Sequence, residues 1–541
     1  MAAVPQSTAV KATRRLAGVA TAFPLATEAA LEILRAGGNA ADAAAAAAWA
    51  LCVCEPAASG LGGQTLVLVH LADGRTRVID GHSRAPALAS CALISKDQQR
   101  HGYRSATVPS TPATLDHFQR RYGTMSRQRV MAPAIRIAEQ GYAITPLQHR
   151  QLQWVAGRLR NSAAGDLFLH QGDAPPAGHV FRQERLARTL RRLAETGIAD
   201  FYTGSAARLI VADMQRHGGL ISAEDLATCG SPMEREPLSI TYRAHRVLSV
   251  PPPGGGLDLL LALEILERLA PDARQSSEAR WHEAIALTTS AVFREREARP
   301  LVPEEVGAGA LAELLSDARA TRLADEIAGV ARGPAVATGA AEEPGDTTHL
   351  AVSDTQGNVV MLTQSIQSVF GAKVAHPELG FVYNNYLRTC PRGAHPYALR
   401  GGGRPRSNAC PTLVLGRDGD APFLALGSAG SRRIISSVLQ TASAVIDRGM
   451  DAVAAIAAAR VHGLLGRKVW IERPAASEAL LARLRARDRE PVIRGRHSYV
   501  MGAVQALHFP TCGELVAAAD PRRDGAAAVF DSGDDDEPPR H

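Results

Sequence analysis

Apolar and polar positions alternate most clearly over residues 348–353 (THLAVS), which end at the turn-forming cluster 354–358 (DTQGN) and lead into a second apolar run, 359–362. This pattern predicts a β-hairpin. Residues 64–70 and 76–80 predict another, around Ala72-Asp73-Gly74. Elsewhere helical periodicity dominates. Residues 26–53 predict two helices broken at Gly37-Gly38, where glycine suits a C-cap and Asn39 can start the second helix. Residues 110–330 read as mostly helical, with 247–250 a strand, and 434–448 and 451–461 predict two further helices. No internal repeat is visible. Strands toward both ends of the chain with helices between them predict sheets covered by helices, an α+β architecture.

Composition narrows the class. The chain has 541 residues, 46% apolar and 21% charged, which is ordinary for a globular enzyme, and the length alone suggests several domains. Aromatics are only 4% while alanine is abundant, so helices are expected to pack closely through small side chains. The net charge of +6 is spread among interleaved acids and bases, without the concentrated stripe that nucleic acid requires. The one arginine-rich stretch, Arg388, Arg392, Arg400, Arg404 and Arg406, is expected to face substrate or to structure loops. The seven cysteines are scattered and form no CxxC, which fits reduced thiols in a cytoplasm. Cys52 and Cys54 are expected inside a buried helix. No His/Cys cluster has metal-ligand spacing, so no metal or other cofactor is expected. Residues 1–27 lack a charged start followed by an apolar core, and the longest apolar stretch, 40–53, is interrupted by Asp42. The expected location is therefore cytoplasmic, without membrane association. The acidic run 534–537 belongs to a tail expected to be disordered from about residue 531.

Candidate chemistry centres on residues 346–349 (DTTH). Upstream, 331–346 (ARGPAVATGAAEEPGD) is small, Pro/Gly-rich and acidic, as an exposed flexible linker would be. Read alone, Thr347-Thr348 is an ordinary pair opening a strand. Cut before Thr347, however, the chain would gain a new N-terminus carrying a hydroxyl nucleophile and a free α-amine. That amine has a pKa of about 7.7–8.0, against about 10.4 for lysine, so it can serve as a general base at neutral pH.

The order of segments around this threonine resembles the γ-glutamyltranspeptidase family of N-terminal nucleophile hydrolases. The motifs are 37–42 (GGNAAD), 55–63 (EPAASGLGG), 108–112 (VPSTP), 132–139 (APAIRIAE), 251–256 (PPPGGG), 347–371 with 380–385 (GFVYNN), 404–412 (RPRSNACPT), 427–433 (GSAGSRR) and 519–525 (ADPRRDG). They span about residues 17–530. The resemblance implies a four-layer αββα sandwich. It implies a precursor whose portion 1–346, ending in the linker 331–346, becomes a large subunit, and whose portion 347–541 becomes a small catalytic subunit. It also implies cleavage between Asp346 and Thr347, with Thr347 as nucleophile and its amine as base. Thr348 and Ser365 match positions that hold the new terminus, with serine where threonine is usual. Gly430 and Ser431 match the oxyanion loop through their backbone N–H groups, with serine where the family has a second glycine.

The matched substrate positions depart from the family. His82 stands where an arginine grips the α-carboxylate of a γ-glutamyl group. Arg84, two residues on, would share its strand face but be displaced by about 7 Å. The aspartate that holds the α-ammonium is missing from the stretch Tyr386, Arg388, Thr389. Gln367 replaces an asparagine, and Ser407-Asn408 replaces a serine pair. An ammonium near Arg388 without its carboxylate is disfavoured, so the expected substrate is an acidic acyl amide, of the glutaryl type seen with cephalosporin acylases of the family or oxamate-like, with water or an amine as acceptor. Conventional γ-glutamyl transfer or glutathione hydrolysis is the alternative. An uncleaved, non-catalytic binding protein is a remote one, because Thr347, Thr348, His349 and the Gly430 loop are all retained.

Overall fold

The structure, a computed structural model, describes residues 10–11, 16–229, 232–270, 275–300, 311, 313–329, 345–417, 419, 421–511 and 513–531. Residues 331–344 of the expected linker and the tail from 532 lie outside the described residues.

Two seven-stranded antiparallel sheets form the centre. The first runs, in spatial order, Val10–Lys11, Glu514–Ala519, Ala503–His508, Pro422–Ala429, Thr412–Leu415, His245–Ser249, Leu238–Tyr242. The second runs Ala526–Asp531, Leu16–Thr21, Gly345–Ser353, Val359–Ser368, Gln64–His70, Thr76–Gly81, Met233–Arg235. Period two explains why the central strands are buried on both faces. From the 345–353 strand, Ala351 enters the core between the sheets, with Leu413, Ala425 and Leu507 of the other sheet. Its neighbours Leu350 and Val352 turn the other way, into the core beneath helices Pro24–Arg35 and Ala40–Cys54. On the far side, helices Gly256–Leu269, Glu278–Ala298 and Arg433–Ile446 cover Val247, Val414, Leu424 and Val504. The layers are helix, sheet, sheet, helix, as the resemblance implied.

The two predicted hairpins and the paired N-terminal helices are present. Gly37 takes φ 83°, the left-handed region where a Cβ is disfavoured, and nothing crowds it. Asn39 caps the helix Ala40–Cys54: its side chain accepts from Ala41 N and Asp42 N, and Asp42 returns a bond to Asn39 N. All residues of this alanine-rich helix are buried. Asn39→Ala is expected to cost about 1 kcal/mol, read as a lower midpoint in denaturant unfolding.

Three expectations on elements are corrected. Residues 110–330 hold the additional strands Met233–Arg235 and Leu238–Tyr242 at the sheet edges. The helix expected over 451–461 stops at Ala457, and Val461–Gly463 pairs with Lys468–Glu472 in a small separate sheet. Gly345 and Asp346, expected in the exposed linker, begin a buried strand, with Asp346 fully enclosed. Among the described residues no helix is long and apolar enough to cross a membrane.

Candidate active site

Thr347 sits opposite a β-bulge. Asp346 pairs with Gln367 and Thr348 with Gln364, so Thr347 faces two residues, Ser365 and Ile366. Gln367, at φ 83°, takes up the local bend. The bulge frees the Thr347 N–H and carbonyl from the ladder. Thr347 N donates to Asp346 Oδ1 at 2.9 Å, and its carbonyl accepts from the Arg523 guanidinium at 3.0 Å. Asp346 and Thr347 are consecutive residues of the strand Gly345–Ser353.

Two hydroxyls converge on the carbonyl of that bond. Thr347 Oγ1 donates to the Asp346 carbonyl at 2.7 Å and Ser365 Oγ donates to it at 2.8 Å, while the two hydroxyl oxygens lie 3.2 Å apart. Gln367 N in turn donates to Ser365 Oγ at 2.9 Å. Thr348, the other residue expected here, is buried with its hydroxyl facing Glu55.

The Asp346 side chain is held from all sides. Oδ1 pairs with Arg523, and Oδ2 accepts from Gln151 Nε2 at 2.9 Å. Gln151 Nε2 also donates to the Tyr499 hydroxyl at 3.1 Å, and Arg523 lies over the Tyr499 ring at 4.7 Å. Glu55 Oε1 is 3.7 Å from Arg523. Burial, and then the neighbouring Asp346 charge, push the Glu55 carboxyl up to about 8. Burial opposes the Arg523 charge, but Asp346, Tyr499 and Glu55 outweigh it and hold the guanidinium above its ordinary value.

A raised carboxyl contributes stability when protonated. The Glu55 contribution should therefore fall as pH rises from about 4.5 to about 8. Thermal melts of an uncleavable Thr347→Ala chain across that window should show the decline, and Glu55→Gln should flatten it.

The loop after the strand Pro422–Ala429 lies against the same spot. Gly430 has φ 120° and Ser431 φ 58°. The Ser431 side chain packs on Gly345: a Cβ there would come within 2.6 Å of Ser431 Cβ. The Ser431 side chain thus takes up space beside the strand Gly345–Ser353. Both residues precede the helix Arg433–Ile446, so their N–H groups lie at its positive end. Gly427 is covered by the His349 ring, which binds Thr363 Oγ1 at 2.8 Å and is pushed down to about 3 by burial. The 427–431 loop and the strand after Thr347 are thus one packed unit.

The expected substrate residues separate into two groups. Tyr386 lies beside the hydroxyl pair: its phenol, pushed up to about 12 by burial, faces Ser365, Ser407 and Gln64. Asn384 Oδ1 accepts from Tyr386 N at 3.0 Å and holds the turn Tyr386–Thr389 in place. Thr389 Oγ1 is spent on the Tyr386 carbonyl, and Arg388 in the same turn is half-buried.

The second group is directed elsewhere. His82 is enclosed, with Nδ1 2.6 Å from Asp80 Oδ1. Arg404 and Arg235 pair with the same carboxylate, and His82, followed by Arg404, outweighs its burial and keeps it well below the usual range. Burial pushes His82 down against the pull of Asp80, so the ring is neutral, with Nδ1–H donating to Asp80 and Nε2 left as an acceptor. The strand ends at Gly81, and Arg84 is exposed, bridging to Val108 through its backbone. The expectation that His82 and Arg84 share a strand face is therefore corrected. Asn408 turns its Oδ1 to Arg296 at 2.7 Å. Arg406 pairs with Glu297, and Arg392 binds the carbonyls of Ile94 and Cys91, so those arginines structure loops.

Residue-by-residue reading missed Glu55, Gln64, Gln151, Tyr499 and Arg523. Glu55 and Arg523 fall inside quoted motifs and could have been flagged as charges in otherwise small or apolar surroundings; Gln151 and Tyr499 carry no such signal. Among the described residues no group of three or more His, Cys, Asp or Glu is placed to hold a metal.

The four-layer sandwich, with a threonine strand at its centre, defines an α+β enzyme of the N-terminal nucleophile hydrolase type. The chain belongs to the γ-glutamyltranspeptidase family, whose pattern, Gamma-glutamyltranspeptidase, matches residues 26–530. It is 32% identical to the glutathione hydrolase proenzyme of Escherichia coli K12, over 93% of this chain and 90% of that one. It is also 32% identical to the acylase ACY 1 proenzyme of Pseudomonas sp. strain SE83, over 95% and 94%. The crystal structure of cephalosporin acylase from Bacillus halodurans superposes with a TM-score of 0.87 at 30% identity, covering 98% of this chain and 97% of that one. The chain is accordingly a hydrolase or acyltransferase of a family made as proenzymes.

Proposed function

We propose that this chain cuts itself between Asp346 and Thr347 and that Thr347 then hydrolyses or transfers the acyl group of an amide. The observation that carries the reading is the Thr347 hydroxyl bound to the carbonyl of its own preceding peptide, with Ser365 on the same oxygen. In self-cleavage, Thr347 Oγ1 bonds to the Asp346 carbonyl carbon and the C–N bond breaks. The hydroxyl proton ends on the Thr347 nitrogen, leaving an ester. Water then adds its hydroxide to the aspartyl carbon and its hydrogen to Oγ1. The freed amine of Thr347 takes the hydroxyl proton when Oγ1 attacks an acyl donor, and the Gly430 and Ser431 N–H groups meet the developing oxyanion.

The acyl donor in this reading has no α-ammonium. The partners of the Tyr386 phenol beside the hydroxyl pair, Ser365, Ser407 and Gln64, include no carboxylate, and the Asp80 charge is already shared by His82, Arg404 and Arg235. Buried ammonium without a carboxylate partner is costly. A glutaryl-type amide fits better than a γ-glutamyl one, in keeping with the acylases among the relatives. Purified, processed enzyme should therefore be assayed with matched glutaryl and γ-glutamyl anilides. The expected result is a higher kcat/KM for the glutaryl compound. Preference for the γ-glutamyl compound with a low KM would replace this reading by conventional γ-glutamyl chemistry.

A further inference from the structure

Arg523 spans the bond between Asp346 and Thr347, touching a group on each side of it. Its Nη1 binds the Asp346 carboxylate and, at 3.0 Å, the Thr347 carbonyl. The carbonyl is one of the two backbone groups that the β-bulge leaves without ladder partners, and the carboxylate accepts from the other, the Thr347 N–H. Arg523 itself is fixed: its guanidinium carbon lies over the Tyr499 ring, 4.7 Å from its centre, and Gln151 ties Tyr499 to the other oxygen of Asp346. We propose that Arg523 is a positioning residue for self-cleavage, holding Asp346 and Thr347 on either side of the scissile bond, and that it passes to Glu55 once Asp346 departs. The proposal rests on the reading that the chain is cut between these two residues.

Two physical effects follow from the geometry. First, the Asp346 carboxylate accepts the Thr347 N–H at 2.9 Å. A hydrogen bond from an amide N–H to an anion raises electron density on nitrogen, the atom that must take the hydroxyl proton as the C–N bond breaks. Arg523 keeps that carboxylate in place through the same oxygen, Oδ1.

Second, the buried charges balance before and after the cut. In the intact chain Arg523 is positive, Asp346 negative, and Glu55, 3.7 Å from Arg523, is held protonated by burial and by Asp346. The other titratable neighbours of Glu55 are Cys54 and Tyr142, both kept neutral by burial, and Asp524, which Thr145 binds and which faces Arg150 as well as Arg523. Hydrolysis gives Asp346 a second carboxylate. Two negative charges at one buried guanidinium favour departure of the new C-terminus. Glu55 then loses its repelling neighbour, ionises, and pairs with Arg523, so the site is neutral again.

The test follows cleavage of the full chain by denaturing gel and intact mass. Arg523→Ala and Asp346→Asn are expected to slow cleavage ~100-fold, and Arg523→Lys, which cannot stack and bridge in one plane, ~10-fold. Millimolar guanidinium should restore cleavage of Arg523→Ala, a rescue that a merely misfolded protein would not show. Glu55→Gln should melt at a lower temperature than the parent only after cleavage. Wild-type rates in both Arg523→Ala and Asp346→Asn, or an unrescued Arg523→Ala beside a normally cleaving Asp346→Asn, would overturn the proposal while leaving the cleavage reading intact. A wild-type chain not cut between Asp346 and Thr347 would remove that reading, and this proposal with it.

Discussion

Thr347→Ala should leave the protein as one uncut chain and lower turnover ~10⁴-fold or more, because the same oxygen serves both reactions and residues that act as a unit fail together. In turnover Ser365 is a poor substitute: its Oγ binds the same carbonyl at 2.8 Å, but Ser365 lies within the strand Val359–Ser368 and has no free α-amine to take its proton. Thr347→Ser keeps the hydroxyl and should cleave, more slowly, because losing the γ-methyl group frees the side chain to rotate. Intact mass is the measurement: two fragments meeting between Asp346 and Thr347 in the parent and a single chain in Thr347→Ala. A cut Thr347→Ala chain would move the nucleophile elsewhere.

Gly427→Ala should destabilise the protein by about 3 kcal/mol, the upper part of the range for overfilling a packed site. An added Cβ would lie 2.2 Å from His349 Cε1 and 2.5 Å from Nδ1. The ring is fully enclosed and tied to Thr363, so it cannot swing away. Relief must come from the strand Pro422–Ala429 or from the strand that follows Thr347. Either movement shifts the 427–431 loop, whose Ser431 side chain packs on Gly345 beside the bond before Thr347, so cleavage should slow along with the loss of stability. Thermal unfolding and the cleavage time course report the two effects. An alanine variant as stable as the parent would show that the ring has room, and the coupling between the two segments would be lost.

That coupling explains why two weak motifs occur together. Thr347-Thr348-His349 and the glycine at 427 are separate in the chain, yet the histidine ring occupies the place where a side chain at 427 would be. Motif order was therefore informative beyond either motif alone. The hairpin 345–353/359–368, the cap at Asn39 and the alanine-rich helix were legible for a different reason: each depends on residues within a few positions of one another.

The substrate residues were less legible. His82 was read as facing substrate because it replaces an arginine, but the strand ends at Gly81 and Asp80 takes the ring. Arg84 was placed on the same face by a strand that does not extend to it. The linker was read as running to Asp346 because its composition does; burial of the Asp346 carboxylate against Arg523 draws the last two residues into the sheet instead.

The sequence by itself determined the α+β class, the central hairpin, the threonine with its implied chemistry, and the family. These rest on period, on turn and cap residues, and on motif order, all of which are properties of neighbours along the chain. Only the tertiary structure decided which charges meet. Arg523 reaches Asp346 across 177 positions, Gln151 across 195, and Arg404 reaches Asp80 across 324. Buried charges are satisfied by whichever partner the packing brings within hydrogen-bond distance. Among the described residues that pairing sets Arg523, which holds the groups beside the bond before Thr347, apart from Arg392 and Arg406, which hold loops.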